Sequence, residues 1–464
     1  MKKTLKIVLL LSIASILGYW GYTWYNNKAS LLGVIHKDAD SAIKIAFHDI
    51  KETLILDAVT SPIYYYDNAS FKPRKTDKDT IDKKGVDLMP YNLILFTVPT
   101  VENTYFSVLK IKNTKAFKHQ IDHYVNSKGL TLRTDDQNNV HWLENKKQRW
   151  VCAWNTEKVI VSFGLDNSYA KSKNIFFDIL KSNKVIESKG NNWITSLSNS
   201  KSHITYLNGK SKITLQFVDG EAVIKGNIKT DGIRTYPKEV DYARIPEASI
   251  NFYWDANFKH PKNKQRFIKS WEGSSFLKKM NLDLSQAVDL TNGFVYLGVK
   301  GTTSQSDTIV TYTYDDNFNK IEEKTYQEKK VPNMVLYLEK EKNGLKDYLA
   351  QKDLLNQNGV FTGFPLYRFY VEENTNSTLF ETGKSKLPLE QATDQHFMNL
   401  SIDFAKAKED FQIPQLEGYF DLLQALELSA KQAVGNEVDL EGKIKGKKQD
   451  INFLSQLFFG LNQD

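Results

Sequence analysis

Lys2, Lys3 and Lys6 stand before an uncharged run from Ile7 to Tyr25 that is long enough to cross a bilayer as a helix. The run closes with Gly18-Tyr19-Trp20-Gly21-Tyr22-Thr23-Trp24-Tyr25. Its rings suit the membrane–water boundary, and they are poor substrates for a signal peptidase, which needs small side chains at its cut site. This pattern predicts an N-terminal transmembrane anchor over 1–28, held in the inner membrane through residues 7–25. Positive flanks stay in the cytoplasm, so the body that follows is expected in the periplasm. The alternative is cleavage around Lys28-Ala29-Ser30 and secretion. No cysteine follows the run, which excludes a lipid attached there through a thiol.

The rest of the chain has room for two to three domains, with apolar and charged fractions near those of globular proteins. Net charge is +7, carried by 55 Lys and only 7 Arg scattered among 55 acidic residues. A nucleic-acid footprint needs basic residues gathered on one face, with Arg favoured for bidentate contacts, so no nucleic-acid partner is expected. Cys152 is the single cysteine, which rules out an internal disulfide and leaves stability to packing.

Organisation along the chain reads as a duplication. Residues Glu221 to Lys229 align without gaps on Glu437 to Lys445, each with one apolar face (Ala222, Ile224, Ile228; Val438, Leu440, Ile444) and a glycine at the same inward step. Val98-Pro99 leads into a strand from Tyr105 to Ile111 and a helix from Thr114 to Asn126. Val331-Pro332 leads likewise into a strand from Met334 to Leu338 and a helix from Asn343 to Lys352. Gly85-Val86-Asp87-Leu88 precedes a strand from Asn92 to Val98, much as Met280 to Leu284 precedes one from Gly293 to Val299. The seam falls near Asp231 to Pro246, giving a first repeat over 29–235 and a second over 236–464. Just before it, Ile213, Leu215 and Phe217 alternate with polar residues, Asp219-Gly220 supplies a turn, and a strand returns from Ala222. Phe420, Leu423 and Leu426, with Leu422 beside them, form one helical stripe; Ile451, Leu454, Leu457, Phe458 and Leu461 form another. Asp67 to Gly85 lacks periodicity and reads as a loop.

Each chemistry-bearing motif has a plainer structural explanation. His119 and His123 lie four apart on a helix, as metal sites require, but Phe117, Ile121, Tyr124 and Val125 form the apolar stripe and His119 lies about 200° away from Phe117. Asp315-Asp316-Asn317-Phe318-Asn319 resembles the start of a calcium loop, yet Lys320 replaces the turning glycine and Tyr326 the closing carboxylate; a hairpin between Ile309–Tyr314 and Lys324–Gln327 explains it. Thr382-Gly383-Lys384-Ser385 resembles the end of a phosphate loop whose first glycine is Thr378 here. Ser275 and Lys278 fit a serine-x-x-lysine pattern, pairing a nucleophile with a base one helical turn away, but so do Ser107–Lys110 and Ser168–Lys171, and no companion motif is present. In Trp150-Val151-Cys152-Ala153-Trp154, alternation sets the thiol between two indoles on one strand face, an inert core position. The doublets Glu322-Glu323 and Glu372-Glu373 point neighbouring carboxylates apart. No catalytic, cofactor or metal residue is assigned.

The segments Leu416-Glu417-Gly418-Tyr419-Phe420-Asp421, Gly442-Lys443-Ile444 and Asn452-Phe453-Leu454, behind an exported anchor and a duplicated strand–helix order, resemble a group of uncharacterised bacterial envelope proteins known as domains of unknown function. The likeness runs from about residue 35 to the end. It implies an extracytoplasmic place in a Gram-negative bacterium and brings no catalytic residues. The expected fold is therefore α+β: two similar halves, each an antiparallel sheet with helices packed on one face, behind one N-terminal transmembrane helix. The expected function is a non-enzymatic binding or scaffold protein engaging an envelope protein or polymer. The alternatives are a carrier of lipid or another apolar ligand, with the aromatics Phe364, Tyr367, Phe369 and Tyr370 lining a cavity, and a hydrolase using Ser275 and Lys278.

Overall fold

Strands with apolar residues on both faces need cover on both sides, and the two cores of the first unit meet that need around one antiparallel sheet. The computed structural model describes residues 18–68, 85–135, 139–165, 167–209, 211–229, 239–314, 320–383, 387–412, 417–433 and 435–460. Its contacts divide the chain into two compact units, Met1–Phe217 and Val218–Asp464. The expected seam lay further on, near Asp231 to Pro246, where 231–238 fall outside the described residues.

In the first unit the strands are β1 (Ser41–Ile45), β2 (Leu93–Thr97), β3 (Thr104–Lys110), β4 (Arg133–Asp135), β5 (Val140–Asn145), β6 (Trp150–Trp154), β7 (Lys158–Gly164), β8 (Ile204–Asn208) and β9 (Ser211–Phe217). They pair antiparallel in the order β9-β8-β1-β2-β3-β7-β6-β5-β4. Helices α1 (18–29), α2 (Phe47–Thr60), α3 (Pro62–Asn68), α4 (Thr114–Lys128), α5 (Tyr169–Leu180) and α6 (Asn192–Ser198) surround this sheet. One core joins Phe96, Phe106, Val151, Ala153 and Ile160 to Ile175, Phe176 and Ile179 of α5 and Ile194 and Leu197 of α6. A second core joins Leu143, Cys152, Trp154 and Val159 to Phe117 of α4. Alternation along β6 and β7 sends successive side chains into the two cores, so the sheet is covered on both faces.

In the second unit the strands are β10 (Glu221–Lys229), β11 (Val240–Arg244), β12 (Ile250–Asp255), β13 (Thr291–Tyr314), β14 (Lys320–Lys340), β15 (Val360–Phe361), β16 (Phe369–Glu373), β17 (Ser377–Glu381), β18 (Glu390–Asp394), β19 (Met398–Asp403), β20 (Leu423–Gln432) and β21 (Glu437–Gly446). Their antiparallel order is β10-β21-β20-β19-β12-β13-β14-β17-β16-β15. The separate ribbon β11–β18 brings Val240 and Tyr242 over Tyr253, Phe294, Tyr296, Val335 and Leu379. Tyr296 is fully buried here, and its hydroxyl accepts from the Ile245 amide at 2.7 Å and donates to Asn251 at 2.7 Å. On the other face, Leu345, Tyr348 and Leu349 of α10 (Leu345–Gln351) pack against Val371 and Phe380; α7 (Pro261–Ser270), α8 (Ser275–Lys279), α9 (Leu284–Asp289), α11 (Phe404–Phe411), α12 (Glu417–Leu422) and α13 (Phe453–Gly460) complete the unit.

Several expectations are overturned. The strands belong to a nineteen-stranded antiparallel sheet and a two-stranded one, so two similar halves that each own a sheet are not what forms. Helices lie on both faces of the first unit's sheet, not one, because β6 and β7 are apolar on both sides. The segments 221–229 and 437–445, aligned as repeats, are direct antiparallel neighbours within one unit, from Glu221↔Lys445 to Lys229↔Glu437. Two strands sharing one pleated environment need the same alternation, which accounts for their likeness.

The expected membrane-spanning helix is not found: among the described residues no helix is long and apolar enough to cross a membrane. Residues 7–17 of the expected span lie outside the described residues. Its end forms α1, which carries Asn26 and Asn27 and is fastened to the first unit, with the Asn27 amide donating to the Ser198 carbonyl at 2.9 Å and Asn92 donating to Asn27 at 2.9 Å.

Two helical stripes also differ. The helix containing Phe420 stops at Leu422, and Leu423 opens β20, where Leu426, Leu428 and Ala430 alternate with Glu427, Ser429 and Lys431. In α13 the buried face is Phe453, Ser455 and Gln456, while Phe458 is exposed. The expected strand Phe364–Tyr370 begins only at Phe369. Val331-Pro332 lies inside β14 instead of before it. The loop expected over Asp67 to Gly85 falls largely outside the described residues.

Lys44 on β1 is 0 % exposed and donates from Nζ to the Ser200 carbonyl at 2.7 Å. Burial pulls its pKa down from 10.5 to about 8. Below pH 8 folded and unfolded chains both hold this proton and the fold carries the cost of the buried charge. Between pH 8 and 10.5 the unfolded chain binds more protons, so stability rises with pH by about 3 kcal/mol across that window. Denaturant titrations should show this rise in the native protein and its loss in Lys44→Met.

Candidate functional site

Helix α4 starts where the Asn113 side chain accepts from the Ala116 amide at 3.1 Å, and it ends at Gly129, whose left-handed φ of 62° returns its N–H to the Val125 carbonyl. Before it, the 85–88 segment is tied down on both sides. Lys112 and Asn113 donate to the Gly85 carbonyl at 2.8 and 3.1 Å, and Asp87 donates to the Lys110 carbonyl at 3.0 Å. Gly85 has φ +69°, and a Cβ there would stand 2.2 Å from the Phe117 nitrogen, so only glycine fits this approach.

Phe117 is the one fully covered residue of α4, set edge-on to Trp154 with ring centroids 5.6 Å apart. Ile121 and Val125 are only half-buried, and Tyr124 leans on Trp150 at 5.9 Å. Because α4 seals the sheet at its first turns and not beyond, a groove of about 920 Å³ stays open to solvent beneath it. Its floor is Leu109, Cys152, Val159 and Val161, and its lips are Val86, Leu88, Ile121 and Tyr124. Leu88 is 52 % exposed, an apolar side chain held at the mouth of an apolar groove.

Three residues singled out for chemistry meet at this groove. His119 and His123 are exposed on α4 and stand at the rim, and Cys152 is buried in the floor. Among the described residues no group of three His, Cys, Asp or Glu is placed to hold a metal ion. Burial pushes the Cys152 thiol up to about 12, which keeps it protonated and unreactive at neutral pH. The arrangement can shelter an apolar group, and it offers no nucleophile to one.

The remaining motifs are scattered. Ser168 caps α5, accepting from the Lys171 amide at 3.4 Å, while Ser107 is a buried position in the middle of β3. Ser275 opens the five-residue α8, and Lys278 lines an open cleft of about 710 Å³ with Ser274, Trp271, Lys269 and Lys352. Thr382 is structural, donating to the Pro332 carbonyl at 2.7 Å and accepting from the Met334 amide at 2.8 Å; Lys384 and Ser385 lie outside the described residues, as does 315–319. Glu373 accepts from the Gly344 amide at 3.0 Å at the start of α10. One further pair has no motif in the sequence: His396 and Asp394 stand 2.6 Å apart. Burial alone would raise the Asp394 carboxyl, but hydrogen bonds from His396 and Tyr253 bring it below its usual range. Only the spacing Asp-x-His could have signalled this contact, and that spacing is common.

Comparison with protein-family models, with curated proteins and with solved structures finds no match.

The depth of Cys152 has a measurable effect. Alkylation by iodoacetamide at pH 8 should run roughly 10³-fold slower in the folded protein than in denaturant, because the thiolate fraction falls about tenfold per pKa unit. Equal rates would mean that the groove floor opens freely.

Proposed function

We propose that the chain is a binding protein without chemistry of its own, and that the groove under α4 takes an apolar ligand of the size of a lipid tail. The observation that carries this reading is an opening of about 920 Å³ lined by Val86, Leu88, Leu109, Phe117, Ile121 and Val161. Its size falls within the range of small-molecule sites, which are mostly apolar with few polar groups. The histidines at the rim give a polar end for a headgroup, while the protonated thiol leaves the floor inert.

Support for a serine hydrolase is weaker, since Ser275 and Lys278 sit on a helix of five residues. A second reading, that the protein engages another macromolecule, draws on the projecting hairpin of β13 and β14.

Titration with a fluorescent long-chain fatty acid, together with mass spectrometry of organic extracts from the purified protein, tests the groove. Leu88→Asp, at an exposed lip, should leave the fold intact and weaken binding by roughly ten- to a hundredfold, the value of one buried leucine. Binding that is absent in the native protein, or unchanged in this variant, sinks the proposal.

A further inference from the structure

Beyond Val299 the longest hairpin of the second unit leaves its neighbours behind. β13 and β14 stay paired from Thr302↔Pro332 to Tyr314↔Lys320, whereas β12 follows β13 only to Val299 and β17 follows β14 only to Val335. The root of this ribbon is marked by a register shift between Val299 and Thr302, with Gly301 at φ +69°. Pro332 on the other strand has no N–H to give on the side of β17, where that pairing stops. Such bulges re-aim a strand, and prolines end its pairing. Among the described residues no strand pairs with the outer edge of β14 from Lys320 to Lys330, and an open edge is a template for another strand.

We propose that this edge is a homodimerisation surface, on which a second copy of the chain pairs antiparallel about a two-fold axis through Tyr326. The charges of Glu322-Glu323-Lys324-Thr325-Tyr326-Gln327-Glu328-Lys329-Lys330 invert when the segment is read backwards. Pairing about Tyr326 therefore sets Glu322 opposite Lys330, Glu323 opposite Lys329 and Lys324 opposite Glu328, each contact made twice by symmetry. All six charged positions meet the opposite sign.

Backbone geometry selects the same register. The Pro332 carbonyl accepts from Thr382, and the Met334 carbonyl from the Thr382 amide, so the even-numbered residues of β14 turn their polar groups to the outer edge. Carried up the strand, that alternation presents Glu322, Lys324, Tyr326, Glu328 and Lys330, and an axis through Tyr326 brings even residues opposite even ones. Sliding the copy by two residues keeps the hydrogen bonds but puts Glu322 opposite Glu328 and Lys320 opposite Lys330 one way, and Lys324 opposite Lys330 the other. Like charges directly opposite are destabilising. The outer edge of β13 from Thr302 to Tyr314 holds one charged residue, Asp307, and has no comparable pattern.

The pairing also answers a need of the ribbon. Val310, Tyr312 and Tyr326 share one face by register and are 40, 51 and 72 % exposed. A lone two-stranded ribbon is marginal in water, and two copies make a four-stranded sheet in which the charged positions between these rings are paired across the axis. This inference is independent of the groove under α4.

Sedimentation equilibrium of the full chain should give a concentration-dependent dimer. Lys324→Glu, which faces the uncharged Val310 within its own hairpin, should raise the dissociation constant roughly tenfold, and the double variant Lys324→Glu with Glu328→Lys should restore it. Tyr326→Cys should form an intermolecular disulfide under mild oxidation, its two Cα atoms lying ~5.5 Å apart across the axis, whereas Lys320→Cys should not. A monomer at all concentrations, a dimer indifferent to Lys324→Glu, or a loss not rescued by the double variant would overturn the proposal. Fatty-acid binding measured on the same variants separates this outcome from failure of the groove.

Discussion

Everything in the first unit depends on a sheet whose central strands are buried on both faces. Trp150 to Trp154 and Lys158 to Gly164 send alternate side chains to opposite sides, Val151, Ala153 and Ile160 into one core and Cys152, Trp154 and Val159 into the other. Burying such side chains contributes about 1.5–3 kcal/mol each, and helices must be recruited to both faces to do it. Helices α5 and α6, together with Leu31, Val34 and Ile35, cover one face. Helix α4 covers the other only at Phe117, and the uncovered remainder is the groove. The candidate site is thus the place where cover runs short.

What could be read from the chain was local. The alternation of Trp150, Cys152 and Trp154 against Val151 and Ala153 appears in the two cores, and the turn at Asp219-Gly220 sits between β9 and β10 with Gly220 at φ 73°. Long-range partnership was not legible. Residues 221–229 and 437–445 carry the same alternation, and sequence alone cannot tell a repeated strand from a neighbouring one, since both obey the same pleat. At Leu423 an apolar stripe compatible with a helix competed with period-two alternation, and pairing with β19 and β21 decided for the strand. The end of the leading apolar run also has partners that its composition does not show. Just past it, Asn27 is bonded to Ser198 and Asn92, long-range contacts that hydropathy cannot register.

The site was half legible. His119, His123 and Cys152 each have a plain structural reading in the sequence, and none of them signals that α4 stands over β3, β6 and β7. That convergence depends on Gly85, whose close approach to Phe117 aligns the 85–88 segment with the helix. The His396–Asp394 contact, by contrast, has ordinary residues at an ordinary spacing, and only the buried Tyr253 hydroxyl gives it significance.

Gly301 and Pro332 mark the root of the long hairpin, and Gln305, whose side-chain amide donates to the Arg368 and Thr382 carbonyls, ties that root to the body. Beyond that tie, none of the described residues from Ser306 to Lys330 belongs to either core of this unit. That segment is where descendants of this chain are freest to diverge, acquiring or losing associations while the body beneath them is inherited unchanged.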